Sequence, residues 1–361
     1  MTREELVALR REVDRIDAEI VRLLARRVDA AAEIGLTKRK AGLKVKDAER
    51  EKQVLDRVAE TAQSIGLDPL KTREMFRQLI SESVRIQKAT KPKDLDGKTA
   101  LVVGGAGRMG RWTCRFLSNR GAAVRVFDAK GEFDGYENVA SLPEHAKKAD
   151  IVVVASPLGT VPEDLKAVVD CGPDGLVFDI CSIKSHVAGL LRDANVRGIR
   201  IASIHPMFGP TAPSPSGRNV LVCDFGSDDA SKETYDLFNS WGARTMMIEL
   251  DEHDRLMAYV LGLAHLTTLT FAGSLRRSNE KIAGLKEVQG PTFERLAAIS
   301  REAMSESRRV YHDIQSLNPN TKQMIAAMEE AFRELRTAAL DPEPRKFAKL
   351  MDADREYLEA E

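Results

Sequence analysis

The first 90 residues repeat apolar side chains at helical spacing. Along one predicted helix these residues recur in steps of three and four, at Leu6, Leu9, Val13, Ile16, Ile20 and Leu23. The spacing predicts a continuous apolar stripe on a helix that reaches about residue 40, longer than most globular helices. Two further helices are predicted, from about Asp47 to Gly66 and from about Pro69 to Lys88. A first helix of that length needs a packing partner, in its own chain or in a second copy.

The pattern changes after a polar linker at residues 91–98, which contains Pro92 and Gly97. Short apolar runs then alternate with helical patterns, in the order TALVVGG, AAVRVFD, ADIVVVASP, DGLVFDI and IRIASIHP. This alternation predicts a doubly wound α/β domain with a parallel sheet at residues 99–250, to which GRNVLVCD and ARTMMIEL add two strands. Residues 251–361 return to helical patterns, so the sequence predicts a helical domain, an α/β domain and a second helical domain.

Composition excludes several classes of partner. The 361 residues include 55 Lys and Arg and 55 Asp and Glu, so no net basic field attracts nucleic acid or an anionic membrane. The four cysteines lack CxxC spacing, which favours free thiols in a reducing compartment. The N-terminus has no signal-peptide pattern, and no long apolar run indicates a membrane span. We therefore expect a cytoplasmic protein.

A glycine-rich stretch, VVGGAGRMGRW, follows the first predicted strand and opens a helix. Gly105, Gly107 and Gly110 have the G-x-G-x-x-G spacing, in which the glycines allow a tight turn, close approach of a pyrophosphate, and helix packing on the strand. Asp128 ends the second strand, where a carboxylate accepts hydrogen bonds from a ribose diol and repels a 2′-phosphate. The sequence therefore predicts a dinucleotide site that favours NAD over NADP.

Four more residues are predicted to line this cofactor site. Arg108 and Met109 belong to the glycine-rich loop, and Ser156 and Pro157 follow the strand ADIVVVA. In a doubly wound sheet, ligands bind beyond the carboxyl ends of the strands, where all four residues are expected.

His205 is the candidate catalytic base, because it comes where a predicted strand stops. A base facing a nicotinamide ring can take a hydroxyl proton while hydride leaves the carbon. Ser182, in DICSIK after another strand, could orient that imidazole or the substrate. The alternative for His205 is a histidine packed beneath a stiff, proline-rich loop.

Charged residues also occur where the first helix should be apolar. Continuing the stripe beyond Leu23 brings Arg27 into the seam, and a buried guanidinium implies a partner or a ligand. Lys38 lies about three turns further along, on nearly the same face. Arg10 lies 17 residues before Arg27, roughly 100° around the helix. Arg10 of a second chain could therefore reach a pocket around Arg27 that Arg10 of the same chain cannot easily reach.

The other two predicted helices add polar side chains to such a pocket. Asp47, Arg50 and Glu51 share a face at the start of the second helix, where Asp47 is also a natural N-cap. Ser83 and Gln87 lie one turn apart on the third. Together these side chains would suit a compact dicarboxylate.

HPMFGP, DICSIK and DEHDRLMAYVLGLAH resemble the prephenate dehydrogenase family, over about residues 98–340. The resemblance implies that His205 hydrogen-bonds the 4-hydroxyl of prephenate, that Ser182 helps to hold it, and that no metal is required. It aligns His253 and His265 with a site helix, although both could equally be ordinary helix-face histidines. It also implies an arginine for the carboxylate of prephenate, either Arg301 or Arg295.

The helical region resembles the all-helical chorismate mutase family over residues 1–90. The matching positions are Arg10, Arg27, Lys38, Asp47, Arg50, Glu51, Ser83 and Gln87. The resemblance implies two intertwined chains, with Arg10 entering the partner's site. Arginines would hold the two carboxylates of chorismate, while Lys38, Gln87 and Glu51 stabilise charge on the ether oxygen.

The two resemblances together predict a homodimeric, bifunctional enzyme that makes 4-hydroxyphenylpyruvate from chorismate. One alternative is a dehydrogenase half that acts on arogenate. Another is a helical domain that serves only in dimerisation or regulation, although a pure dimer seam would favour apolar residues at positions 27 and 38. A 2-hydroxy-acid or 6-phosphogluconate-type dehydrogenase fits the glycine loop but neither the helical domain nor HPMFGP.

Overall fold

The computed structural model describes residues 3–40, 47–89, 94–129, 131 and 133–360. Its N-terminal part consists of three helices, α1 (Arg3–Lys40), α2 (Ala48–Ser64) and α3 (Pro69–Ala89). Asp47 caps α2 by accepting a hydrogen bond from the Arg50 amide at 3.0 Å. Helix α3 packs against both other helices, and the three predicted helices are confirmed.

The first half of α1 leaves its apolar stripe uncovered in the single chain. Leu9, Val13, Ile16, Ile20 and Leu23 are between 47 and 56% exposed. Further along the same helix, Ala31 is buried. The stripe is the packing surface that the sequence predicts, and the chain's own helices do not cover it.

The central domain contains one sheet of eight strands with the order β3-β2-β1-β4-β5-β6-β7-β8. The strands are β1 (Thr99–Val103), β2 (Ala123–Phe127), β3 (Glu137–Asn138), β4 (Ile151–Val154), β5 (Leu176–Asp179), β6 (Ile201–Pro206), β7 (Asn219–Asp224) and β8 (Arg244–Glu249). The helices are α4 (Arg108–Asn119), α5 (Leu142–Lys148), α6 (Val161–Asp170), α7 (Ala188–Val196) and α8 (Asp228–Asn239).

Strands β1 to β6 are parallel, and β7 is antiparallel to β6. The doubly wound α/β prediction is confirmed, but the sheet is mixed, because β7 and β8 are parallel to each other and run antiparallel to the first six strands. The reason is the connection at residues 207–218, which contains three prolines and no helix. A parallel neighbour needs a crossover connection, usually a helix, whereas this loop returns the chain directly as an antiparallel strand.

Both faces of the sheet are covered, as expected for parallel strands. Along β1, Ala100 and Val102 face one apolar core, and Leu101 and Val103 face the other. The first core includes the aromatic cluster of α4 and α8, and the second is closed by α5, α6 and α7. The four cysteines are free, and all except Cys171 are buried.

The second half of the linker is attached to the α/β domain. Arg120, which is buried, donates from Nε to Asp94 Oδ1 at 2.8 Å and lies over the rings of Phe116 and Trp241. The Leu95 amide also donates to the Arg120 carbonyl at 3.0 Å. Residues from Asp94 onwards therefore belong to the α/β core.

The C-terminal part is helical, as predicted. It contains α9 (Leu250–Met257), a π-helical turn (Ala258–Leu263), α10 (Ala264–Arg277), α11 (Ile282–Glu287), α12 (Pro291–Ser305), α13 (Arg308–Leu317), α14 (Thr321–Ala339) and α15 (Arg345–Glu359). The continuous helix Leu250–Arg277 is long and apolar enough to cross a membrane by length and composition, which the sequence analysis does not anticipate. Near the start of this helix, three side chains are buried: His253, Asp254 and Met257.

A buried ion pair joins the ends of two central strands. Asp179 ends β5, and the Lys184 ammonium donates to its Oδ1 at 2.8 Å and to the Ile204 carbonyl of β6 at 2.7 Å. Neither charged side chain is exposed. Burial alone raises the pKa of Asp179, but the Lys184 charge and hydrogen bonds outweigh it and lower the pKa. The pair is therefore ionised inside the core.

We expect Lys184→Met to destabilise the α/β domain by about 3–5 kcal/mol, because it leaves the Asp179 carboxylate buried without its counter-charge. Lys166→Met is the matched control, since Lys166 forms an exposed ion pair with Asp170, and it should change stability by less than about 0.5 kcal/mol. Urea unfolding followed by circular dichroism measures both. Equal effects of the two substitutions would contradict the structural role of the pair.

Candidate functional site

The glycine-rich loop joins β1 to α4 and is packed too tightly for side chains. A Cβ at Gly110 would lie 2.1 Å from the Gly104 carbonyl oxygen, and one at Gly105 would lie 2.7 Å from Val126 Cγ1. The positive φ of the turn, +78°, occurs at Gly104 and not at Gly105. Gly105, the first glycine of the G-x-G-x-x-G spacing, is the one expected to make the tight turn, but Gly104 makes it. Gly105 is needed because a Cβ there would be too close to Val126.

Asp128 lies beside this loop. Its Oδ2 accepts a hydrogen bond from the Ala106 amide at 2.9 Å, which brings the carboxylate next to the loop that opens α4. Ser156 follows β4 on the other side, and its amide nitrogen would be 2.8 Å from a Cβ at Gly104. The structure thus brings Asp128, Ser156 and the glycines to one edge of the sheet.

The remaining predicted cofactor residues lie at the same edge. Gly107 is the N-cap of α4 and Arg108 its first residue. Met109 packs against the core, and Pro157 accepts from the Thr160 amide at 2.8 Å in the turn after β4. The first amides of a helix have no partner within the helix and form an anion site, so this loop fits the pyrophosphate of a dinucleotide.

His205 lies at the end of β6 and is 4% exposed. Its Nδ1 is 3.0 Å from Nε2 of His253, on α9. The Nδ1 of His253 is in turn 2.7 Å from Oδ1 of Asp254. The three side chains form a hydrogen-bonded series from a carboxylate to the candidate base.

Asp254 is held in place by hydrogen bonds to the loop after β5. Its carboxylate accepts from the amides of Lys184, at 2.9 Å, and Ser185, at 2.7 Å, and from the Ser185 hydroxyl. Burial alone raises the pKa of Asp254, but the hydrogen bonds from His253 and Ser185 outweigh burial and lower the pKa to about 2. Asp254 is therefore a carboxylate at neutral pH.

The partners fix the proton positions along the series. An ionised Asp254 accepts the Nδ1 proton of His253, which leaves His253 Nε2 to accept the Nδ1 proton of His205. Burial, the neighbouring His253 and the charge of Lys184 lower the pKa of His205 well below 6.5. His205 is therefore neutral near pH 7, with Nε2 available as a base.

The remaining residues predicted for the site around His205 do not share one environment. Ser182 follows β5 and is half-buried. His265 stacks on Tyr311 with ring centroids 4.0 Å apart. Arg295 and Arg301 are exposed on α12 and form no ion pair within the described residues, so the choice between them stays a prediction.

Asp254, Lys184 and Asp179 are parts of this site that the sequence reasoning missed. A signal was present, because Asp179 and Lys184 flank Ser182 in DICSIK and Asp254 follows His253 directly. Their pairing with groups far along the chain was not visible from that spacing.

A second site lies among the N-terminal helices. The Nη1 of Arg27 donates to the Leu79 carbonyl at 2.8 Å and to the Ser83 hydroxyl, which itself donates to Leu79 at 2.8 Å. Burial lowers the pKa of Arg27. The seam arginine of α1 is therefore positioned by α3, and Arg27 and Ser83 are brought together as predicted.

Glu51 is the most informative residue of α2. Its Oε1 is buried and has no hydrogen-bond partner among the described residues. An unpartnered buried carboxylate oxygen is unfavourable unless a ligand or a proton satisfies it. Arg50 donates to Gln53 at 3.4 Å, and the side chains of Lys38 and Gln87 lie outside the described residues.

Arg10 is exposed on the first half of α1. It lies 17 residues before Arg27, about 25 Å away along the helix axis. The single chain does not bring these two arginines together.

We expect Asp254→Asn to lower, roughly 100-fold or more, the kcat of a reaction in which His205 is the base, because it removes the charge that fixes the proton positions of His253 and His205. Asp251→Asn on the same helix is the control, since Asp251 is 79% exposed, and it should retain activity.

In the unsubstituted protein, kcat/KM should fall as the pH drops through the pKa of His205, because the base must be neutral. This acid limb should lie below pH 6.5. A limb at or above that pH would contradict the assignment of His205 as the buried base.

Family models match three parts of the chain. Residues 9–88 match type II chorismate mutase, residues 130–246 match the prephenate dehydrogenase nucleotide-binding domain, and residues 249–353 match the prephenate dehydrogenase dimerization domain. The glycine-rich loop precedes the second match.

Individual proteins agree with these matches. A T-protein from Enterobacter agglomerans is 26% identical over 332 residues, covering 91% of this chain and 87% of that protein. A chorismate mutase from Methanocaldococcus jannaschii is 31% identical over 85 residues, covering 24% of this chain and 86% of that protein. The fold is similar to that of a prephenate dehydrogenase from A. aeolicus solved with hydroxyphenyl propionate and NAD+, with a TM-score of 0.57, 20% identity, and coverage of 74% of this chain and 100% of that one.

Proposed function

Because the chain belongs to the chorismate mutase family over its N-terminal helices and to the prephenate dehydrogenase family over its other two domains, we propose that the two activities act in succession. The chain is a bifunctional enzyme of tyrosine biosynthesis. Its helical domain rearranges chorismate to prephenate, and its other domains oxidise and decarboxylate prephenate to 4-hydroxyphenylpyruvate. The hydrogen-bonded series Asp254–His253–His205, on the same edge of the sheet as the dinucleotide loop, is the observation that carries the dehydrogenase half.

His205 acts on the 4-hydroxyl of prephenate. Its Nε2 takes the hydroxyl proton as hydride leaves C4, so that the C–O bond becomes a carbonyl. The ring carboxylate then leaves as CO2, the electrons of the broken bond make the ring aromatic, and the oxygen regains the proton. Ser182 holds the same hydroxyl, and His253 and Asp254 stabilise the protonated His205.

NAD is the cofactor that fits the residues of this chain. The glycines let the loop pack tightly against the start of α4, whose first amides suit a pyrophosphate, and the Asp128 carboxylate favours a ribose diol over a 2′-phosphate. Bound NAD would supply the hydride acceptor. The A. aeolicus relative solved with NAD+ supports this proposal.

The mutase half works with fixed charges and requires no cofactor. Arg27, held by Leu79 and Ser83, binds a substrate carboxylate, and holding both carboxylates brings the reacting ends together. The buried Oε1 of Glu51 has no partner within the described part of the chain and is available to a ligand. Lys38 and Gln87 are the donors that the mutase resemblance adds to this site. These donors stabilise charge that develops on the ether oxygen.

The functional unit is a cytoplasmic homodimer whose mutase sites are shared between chains. The uncovered stripe on α1 supports this, since a second copy of α1 would bury it. The separation of Arg10 from Arg27 supports a partner's Arg10 in each site. A second copy would also cover the apolar surface of Leu250–Arg277, which lies in the part that matches a dimerization domain.

Chorismate and NAD together should give NADH, followed at its absorbance band, because the first domain makes the substrate of the second. Prephenate and NAD should also react, and arogenate or NADP should react more slowly. NADH from prephenate but not from chorismate would mean that the helical domain serves only in dimerisation or regulation. A preference for arogenate would overturn the choice of substrate.

Complementation between two inactive variants tests the shared site. Arg10→Ala and Arg27→Ala should each lower mutase kcat/KM about 10- to 100-fold, since each removes a charged hydrogen bond to a carboxylate. Co-expressed, the two variants should regain activity from about one quarter of all sites, because each heterodimer contains one intact site.

Arg26→Ala is the matched control, since Arg26 is an exposed neighbour of Arg27. Dehydrogenase activity should be unchanged in all three variants. Mixed dimers with no recovered activity would contradict sharing of the site between chains.

A further inference from the structure

Residues 306–309, which connect α12 to α13 and form the first turn of α13, reach both loops that border the dinucleotide site. At one end, Glu306 Oε2 accepts from Arg108 Nη1 at 2.6 Å. At the other, Arg309 Nη2 lies 3.1 Å from the position that a Cβ would take on Gly159, in the turn after β4. The C-terminal helical domain therefore brings one negative and one positive side chain to the cofactor edge of the sheet.

Arg108 is the contact through which Glu306 acts. It is the first residue of α4, at the helix end where the pyrophosphate of the proposed cofactor would bind. A guanidinium there is a natural partner for a phosphate oxygen, but in this structure its charge is paired with the Glu306 carboxylate. A pyrophosphate and Glu306 would therefore compete for the same cation, and their negative charges repel each other.

Arg309 brings the opposite charge to the same edge of the sheet. It is 69% exposed, and its Nε lies 3.4 Å from Oδ2 of Asp313, one turn further along α13. Its guanidinium end is free to approach Gly159, and the absence of a Cβ at that glycine makes room for it.

We propose that Glu306 and Arg309 set the affinity of the dinucleotide site from outside the α/β domain, with Glu306 weakening and Arg309 strengthening the binding of the pyrophosphate. The inference rests on the proposed function, since it takes NAD and NADH as the ligands. A carboxylate that competes for Arg108 assists the release of NADH after each turnover. Both residues act on binding and not on the reacting atoms.

Charge-neutral variants of the full-length protein test the proposal through the dissociation constant of NADH, measured from its fluorescence on binding. Glu306→Gln should bind NADH about threefold to tenfold more tightly, and Arg309→Gln more weakly by a similar factor, because both charges are partly exposed and screened by solvent. Both differences should shrink as salt is added.

Two control variants each remove one charge, a positive one on α13 and a negative one on α12, at other exposed positions. Arg308→Gln removes an exposed cation directly before Arg309, and Glu294→Gln removes an exposed carboxylate near the start of α12. Both should leave NADH affinity within about twofold. Mutase activity, measured in every variant, reports whether the protein is folded.

The proposal depends on whether Glu306→Gln strengthens or weakens the binding of NADH. Weaker binding would mean that Glu306 holds Arg108 in a productive position, which would overturn competition. A change no larger than that of the controls would also overturn it. In the double variant Arg108→Gln/Glu306→Gln, the gain from Glu306→Gln should become smaller, since the shared cation is gone. A wild-type protein that does not bind NADH would instead contradict the proposed function itself.

Discussion

Lys184 links the elements on which the dehydrogenase site depends. Its ammonium donates to Asp179 at the end of β5 and to the Ile204 carbonyl of β6, one residue before His205. Its amide donates to Asp254, which orients His253. One residue thus fixes the position of the candidate base and of the groups behind it. Because the ion pair has no exposed surface, any displacement would leave a charge in the core without a partner, so the arrangement is held rigidly.

The same burial determines the chemistry. Desolvation disfavours charged imidazoles, and Lys184 adds an unfavourable positive charge, so His205 is neutral where an exposed histidine would be partly protonated. Asp254 resists the same desolvation because it accepts several hydrogen bonds. Asp254 is therefore ionised because its hydrogen bonds outweigh the effect of burial. His205, at the other end of the series, is neutral because burial dominates.

The two halves of the chain use charge differently. In the helical domain, Arg27 is only partly buried and keeps a fixed charge, which suits the holding of carboxylates without proton transfer. In the other half, the proposed chemistry is the exchange of a proton between the buried His205 and the substrate. Arg10 and Arg27 are far apart on a single helix, whereas His205, His253 and Asp254 come together within one chain.

The sequence by itself determined the helices, most strands and the dinucleotide loop, because periodicity and glycine spacing are local properties, and it singled out His205 and Arg27 as candidates. It could not assign the positive φ to Gly104 instead of Gly105, because either of two adjacent glycines can adopt that conformation. It did not show that β7 runs antiparallel, or that His253 lies between His205 and Asp254. Those features were decided by the tertiary structure, since hydrogen bonds between residues 48 or more positions apart form only after the strands and α9 have packed together.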